Sequence, residues 1–422
     1  MMRIACLVLI AVLIAPAGYA EFKAAISIRD VTPDPLLPVS GGVGPGRPST
    51  EAKGNLTVRA LVLENNGTRV AICSADFLGF PTPLCNRVRE KVSGVPAANI
   101  LIGATHSHSG PDMYGFSDGQ GGTAANLDYI AMVCEKLADA INEAVANLQP
   151  ASMRVATGEA KGKIAYNYYA PMLYDPRCTT VQFIGADESV FATLVNYAIH
   201  PEVLGNGVGI TSPDMVGPLY DRIAEKGGGV GIFMNGAQGG MITADNRVYE
   251  KPKDPAANHH HDMRTWEECI RIGHLLGDEA LRIVQDAPIQ TNPELTCAMK
   301  QVPIPIDNPG FRMIFKSSVI GYEVTEDYVA PVQVNLVNLG DAQMLTIPGE
   351  ALPNIGYYLK RNMGGEHNMI LGLTNDAIGY ILVPEDFESF KRYEYITRTS
   401  MGEMTGEILI NAGLAMVAEA AK

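Results

Sequence analysis

The residues best suited to chemistry in this chain are two histidines one position apart, in Gly103-Ala104-Thr105-His106-Ser107-His108-Ser109-Gly110-Pro111. They follow an apolar run, Asn99-Ile100-Leu101-Ile102, that reads as a buried strand. In an extended segment side chains alternate, so His106 and His108 are expected on one side. Two imidazoles together at the end of a core strand make a start to a zinc site. Three other apolar runs end in residues able to bind a metal. Ala192 to Ile199 runs into His200-Pro201, and Met344 to Ile347 into Pro348-Gly349-Glu350. Met369 to Leu373 leads through Asn375-Asp376 to Tyr380. In open α/β sheets the ligand crevice lies outside the carboxyl ends of the strands. Strand ends carrying His106, His200, Glu350 and Tyr380 are therefore expected to converge. Two nitrogens and a carboxylate oxygen suit a catalytic zinc with a position left for water.

The elements that must hold these residues alternate along the chain. A hairpin is expected at Asn66-Gly67, between Val58–Leu63 and Arg69–Cys73, because Asn-Gly favours the tight turn that antiparallel strands need. Helical periodicity places Ile130, Val133, Leu137, Ile141 and Val145 on one face of residues 126–148. Further helices are expected near 83–96, 213–225, 265–285, 351–361 and 399–416, and strands near 153–156, 180–183, 230–234, 295–302, 332–339 and 343–347. Strands and helices mixed over the whole length predict an α/β (mixed) class. The expected architecture is layered mixed β-sheets flanked by helices, as a single large catalytic domain over residues 21–422.

Composition narrows the partners. With 47% hydrophobic and 18% charged residues the chain is globular in type. A net charge of -14 argues against nucleic acid or an anionic membrane held by bulk charge. The first 20 residues read as a signal peptide: a basic start, a short apolar run from Ile4 to Ile14, and small residues up to Ala20. The protein is accordingly expected to be secreted or periplasmic, without an integral membrane span. Six cysteines remain after Cys6, with no close pair, which leaves room for one or two disulfides and little for a cysteine-based zinc site. The run Asn258-His259-His260-His261-Asp262 lies in a polar insertion and reads as solvated.

The segment Thr105-His106-Ser107-His108-Ser109-Gly110-Pro111 resembles the Thr-His-Thr-His-Ser-Gly-Pro signature of the neutral (neutral/alkaline, non-lysosomal) ceramidases. Ser74-Ala75-Asp76, His200-Pro201 followed by Ser212-Pro213-Asp214, Pro348-Gly349-Glu350, and Gly372-Leu373-Thr374-Asn375 with Tyr380 resemble that family in the same order. The resemblance runs from about residue 24 to about residue 410. It implies an exported zinc-dependent amidohydrolase that cleaves an N-acyl amide of a small molecule or lipid with zinc-activated water. It implies that His106, His200, Glu350 and Tyr380 bind Zn2+, that His108 lies beside the metal as a catalytic group, and that Tyr393 helps hold the scissile amide. Two features depart from the family. Gly240, in Asn235-Gly236-Ala237-Gln238-Gly239-Gly240, stands where the family has a serine, with Thr243 nearby, and the family's C-terminal immunoglobulin-like domain has no counterpart. These departures leave two alternatives: a non-catalytic binding protein of the same fold, and a metallohydrolase acting on esters.

Overall fold

The structure, a computed structural model, describes residues 22–249 and 260–421 apart from 119 and 121. The segment read as a signal peptide, and Asn258-His259 of the histidine run, lie outside the described residues. His260–Asp262 pairs with Arg247–Tyr249 as a short hairpin.

Two mixed sheets face each other. The larger contains β1 (Lys23–Asp30), β2 (Thr57–Asn65), β3 (Thr68–Ala75), β4 (Ile100–Ala104), β5 (Gln149–Glu159), β6 (Arg177–Gly185), β7 (Val190–Tyr197) and β8 (Val230–Asn235), in the order β8-β7-β6-β5-β1-β2-β3-β4. The smaller contains β9 (Leu295–Pro305), β10 (Val329–Leu339), β11 (Ala342–Thr346) and β12 (His367–Leu371), in sequence order. Most neighbours are antiparallel. Three pairs are parallel: β3 with β4, β7 with β8, and β11 with β12.

Period-2 alternation builds the layers. Leu61, Leu63, Val70 and Ile72 of β2 and β3 point towards Val337, Leu339, Met344 and Leu371 of the smaller sheet. The residues between them, Ala60, Val62, Ala71 and Cys73, pack instead on helices α1 (Thr82–Arg89) and α2 (Leu127–Ala146). Helix α3 (Val216–Glu225) packs on β8, and α4 (Trp266–Val284) packs on α3 and on β5 and β6. After α5 (Pro309–Lys316), helices α6 (Pro353–Asn362) and α8 (Thr405–Ala420) cover the outer face of the smaller sheet, with α7 (Glu394–Arg398) between them. Every strand at the centre is thus buried on both faces. A fully buried Leu or Ile there contributes roughly 1.5–3 kcal/mol.

The mixed layered class is as expected. The caps explain where two long helices begin: the Asn126 side chain accepts from the Tyr129 N–H at 3.0 Å, and Thr265 from the Glu268 N–H at 3.3 Å. Asn66 and Gly67 both adopt positive φ, as a two-residue hairpin loop requires. The helix expected over 399–416 begins later, at Thr405 of α8, after a break that follows the separate short helix α7. Gly402 lies in the break, and a Cβ there would come within 2.6 Å of the Asp307 carboxylate. Helix α5 was not anticipated; it starts at Pro309 behind an Asn308 cap, whose side chain accepts from Gly310 N–H at 2.8 Å. All six described cysteines are free thiols. Among the described residues no helix is long and apolar enough to cross a membrane.

Candidate metal centre and cleft

The four chemistry-bearing segments meet because their strands point the same way, and buried asparagines tie the strand ends together. Asn235, at the end of β8, donates to the carbonyls of Thr105 (3.0 Å) and Ile199 (2.7 Å) and accepts from the Ile199 N–H (3.1 Å). It thereby fixes the residues immediately before His106 and His200. Asn375 links the sheets in the same way: its N–H donates to Ile102 O (2.7 Å), and its side chain bonds Arg89 and Asn335. Glu350 and Tyr380 are direct partners in a short parallel pair, Glu350–Ala351 with Tyr380–Ile381.

The His-x-His segment is not extended. β4 ends at Ala104, and His106 has a φ of 72°, the left-handed region that costs a non-glycine residue energy. The turn is held by His106 N–H donating to Phe77 O (2.9 Å), Ser107 Oγ donating to Ser212 O (2.8 Å), and Ser109 Oγ donating to Gly205 O (3.1 Å). The rings still meet, edge to face, with centroids 4.8 Å apart. Tertiary hydrogen bonds, rather than strand alternation, bring them together.

All three histidines use Nδ1 in the same way. It contacts the carbonyl of Leu78 from His106 (2.6 Å), of Gly41 from His108 (3.1 Å), and of Ile242 from His200 (2.7 Å). A carbonyl only accepts, so Nδ1 carries the proton in each case and Nε2 faces the shared centre. The Nε2 atoms of His106 and His108 are buried without a hydrogen-bond partner. The ligand atoms of His106, His108 and His200 all lie within 4.8 Å of one another, a cluster that could hold a metal ion. A second donor set shares two of its members. Glu350 Oε2 lies 3.0 Å from His200 Nε2 and 3.4 Å from His106 Nε2, and the Tyr380 hydroxyl lies 3.4 Å from His200 Nε2. Donors bound tetrahedrally at about 2.0–2.1 Å from an ion stand about 3.3 Å apart. The three distances just given within the set His106, His200, Glu350 and Tyr380 lie close to that spacing.

Electrostatics fit a cation site. Burial alone would push the Glu350 carboxyl up, but the His106 and His200 imidazoles outweigh it and hold the group below the ordinary carboxylate range. Burial, followed by the Glu350 charge, raises the Tyr380 phenol well above its ordinary value. Burial lowers His108 to about 3, so this ring is neutral at physiological pH.

From the cluster an apolar cleft of about 720 Å³, including its open mouth, runs between Tyr114 and Phe116 on one side and Phe311, Ile314 and Phe315 of α5 on the other. Tyr395 lines this cleft. Tyr393 does not: it packs at the rim on Tyr169 and Phe390, with centroids 5.3 and 5.4 Å away. Gly240 has a φ of 70°, and a Cβ there would come within 3.3 Å of Leu352. The next residue, Met241, receives the Tyr380 hydroxyl at its Sδ (3.1 Å). Thr243 hydrogen bonds Glu202. Glu202, whose Oε2 stands 3.7 Å from His108 Nδ1, is a member of the site that sequence reading missed; its place two residues after His200 was the available signal. The α5 wall was missed too, although Phe311, Ile314 and Phe315 have the i, i+3, i+4 spacing of one helix face.

No protein-family model matches the chain, and no curated protein sequence does. Solved structures do. Neutral ceramidase from Pseudomonas aeruginosa superposes with a TM-score of 0.74 at 16% identity, covering 96% of this chain and 75% of that one. A structure described as ceramidase complexed with C2 gives a TM-score of 0.73 at 16% identity, covering 95% of this chain and 75% of that one. The chain therefore has the ceramidase fold.

Proposed function

We propose that this chain is an exported zinc-dependent amidohydrolase of ceramidase type, cleaving an N-acyl amide with water. The observation that carries the reading is the spacing of His106, His200, Glu350 and Tyr380 at the head of an apolar cleft. These four residues would hold the ion. Bound zinc supplies Lewis acidity towards a carbonyl and lowers the pKa of water. The Nδ1 contacts to Leu78 and Ile242 orient the His106 and His200 rings, and the Glu350 charge offsets that of a cation. His108 presents an unprotonated Nε2 to the centre and can pass a proton towards the leaving amine. The Glu202 carboxylate beside Nδ1 favours a charged His108 as that proton passes. The aromatic walls bind the acyl group and exclude water. Tyr395, which lines the cleft, would hold the amide.

Zinc analysis of purified wild type beside His106→Ala, with hydrolysis of a panel of N-acyl amides and esters, tests this. Stoichiometric zinc and amide turnover are expected in wild type, and loss of both in the variant. A wild type without stoichiometric zinc refutes the reading. Zinc uptake with no turnover of any substrate identifies a binding protein of this fold instead.

A further inference from the structure

The cleft beside the histidine cluster is not closed by solid core. Tyr322 lines it, and the same side chain lines a second cavity on the other side, walled by Thr82, Arg89, Gln333 and Asp376. Tyr322 is the residue that the two linings share. It is held at two points. Its centroid lies 4.3 Å from that of Phe315, and its hydroxyl donates to Asp376 Oδ1 at 3.2 Å. Asp376 is itself buried and fixed, accepting from Thr82 Oγ1 (2.6 Å) and from the Ala377 N–H (2.8 Å). The two cavities differ in character. Rings and aliphatic side chains wall the first, and among the described residues no lysine or arginine lines it. The second is polar, with Arg87, Arg89 and Glu90 in its walls.

We propose that Tyr322 sets the acyl specificity of the site: the cleft takes a compact apolar acyl group, aromatic or short aliphatic, and Tyr322 stops longer chains from running on into the cavity behind. This specificity presupposes the amide-hydrolase reading and names its substrate class. An acyl group bearing a charge would lose its hydration and find no cation in return. A chain too long for the cleft must either displace a ring held by packing and a hydrogen bond or leave methylenes in water. Apolar pockets discriminate roughly tenfold or more for each methylene that does not fit.

The test compares zinc-loaded wild type, Tyr322→Phe and Tyr322→Ala on aminocoumarin amides carrying phenylacetyl, hexanoyl, hexadecanoyl or glutaryl groups. In wild type kcat/KM for phenylacetyl and hexanoyl is expected to exceed that for hexadecanoyl and for glutaryl by about tenfold or more. Tyr322→Phe keeps the ring and should keep these ratios. Tyr322→Ala should raise hexadecanoyl relative to hexanoyl by about tenfold or more. A fluorescent long-chain fatty acid, titrated at equilibrium without turnover, should bind Tyr322→Ala more tightly than wild type by a similar factor. A wild type that prefers hexadecanoyl, or a Tyr322→Ala protein with unaltered ratios and unaltered binding, overturns the proposal. If wild type cleaves none of the amides, the catalytic reading fails, and the fatty-acid titration alone decides the role of Tyr322.

Discussion

Replacing Glu350 by Gln separates the two donor sets around His106 and His200. In the set that includes Glu350 and Tyr380, Glu350 Oε2 stands 3.0 Å and 3.4 Å from two imidazole nitrogens and supplies the negative charge. Losing a residue that only supports a ligand costs about 10–100-fold in metal affinity. Losing a ligand should therefore cost at least about 100-fold, or roughly 2.7 kcal/mol. With free zinc at about 1,000 times the wild-type Kd, the ion stabilises wild type by roughly 4.1 kcal/mol and the variant by roughly 1.4. A chain of 422 residues has an unfolding entropy near ~0.9 kcal/mol/K. The zinc-induced rise in Tm should then be about 5 °C for wild type and about 2 °C for Glu350→Gln. Differential scanning calorimetry with and without zinc reads this increment and cancels any effect of the substitution on the metal-free fold. If His106, His108 and His200 are the ligands instead, His108→Ala abolishes the increment and Glu350→Gln keeps it. That ranking would refute the assignment.

Three further outcomes follow from the same geometry. Asn235→Ala strips partners from the Ile199 N–H and from the carbonyls of Ile199 and Thr105. It should cost about 3 kcal/mol or more in urea unfolding and weaken zinc binding, because both histidine segments lose their anchor. Gly240→Ala forces a Cβ into a left-handed conformation against Leu352 and should cost about 1–2 kcal/mol, whereas Gly364→Ala, with open space around it, should stay near neutral. Burial pushes the Asp214 carboxyl up to about 6, so the folded state holds its proton more tightly than the unfolded state does. Its contribution is complete below about pH 4 and is lost as pH rises through about 6, by roughly 3 kcal/mol. Urea stability of wild type relative to Asp214→Asn should fall over that range. A flat difference would show that the carboxyl titrates normally in the fold.

The elements could be read where local physics decides them. The Asn66-Gly67 hairpin needs only its two residues in positive φ, and α2 and α4 announce themselves by periodicity and by side-chain caps. The break between α7 and α8 was hidden because it depends on the close approach of Gly402 to Asp307, almost 100 residues away in sequence. The site divides in the same manner. His200, Glu350 and Tyr380 lie just beyond apolar runs whose ends were visible. Glu202 could be sought only through its place two residues after His200, and Tyr395 carries no such signal, since it sits in a run of charged and aromatic residues.

Sequence by itself determined which residue types could share a centre, because strand ends in a mixed α/β chain have few places to go. Only the tertiary structure decided how His106 and His108 come together. Alternation along a strand would have faced them the same way, but His106 leaves the strand at a φ of 72° and each ring is aimed by a carbonyl from a distant segment, Leu78 for one and Gly41 for the other. Hydrogen bonds between segments far apart in sequence set those directions, and no local propensity encodes them.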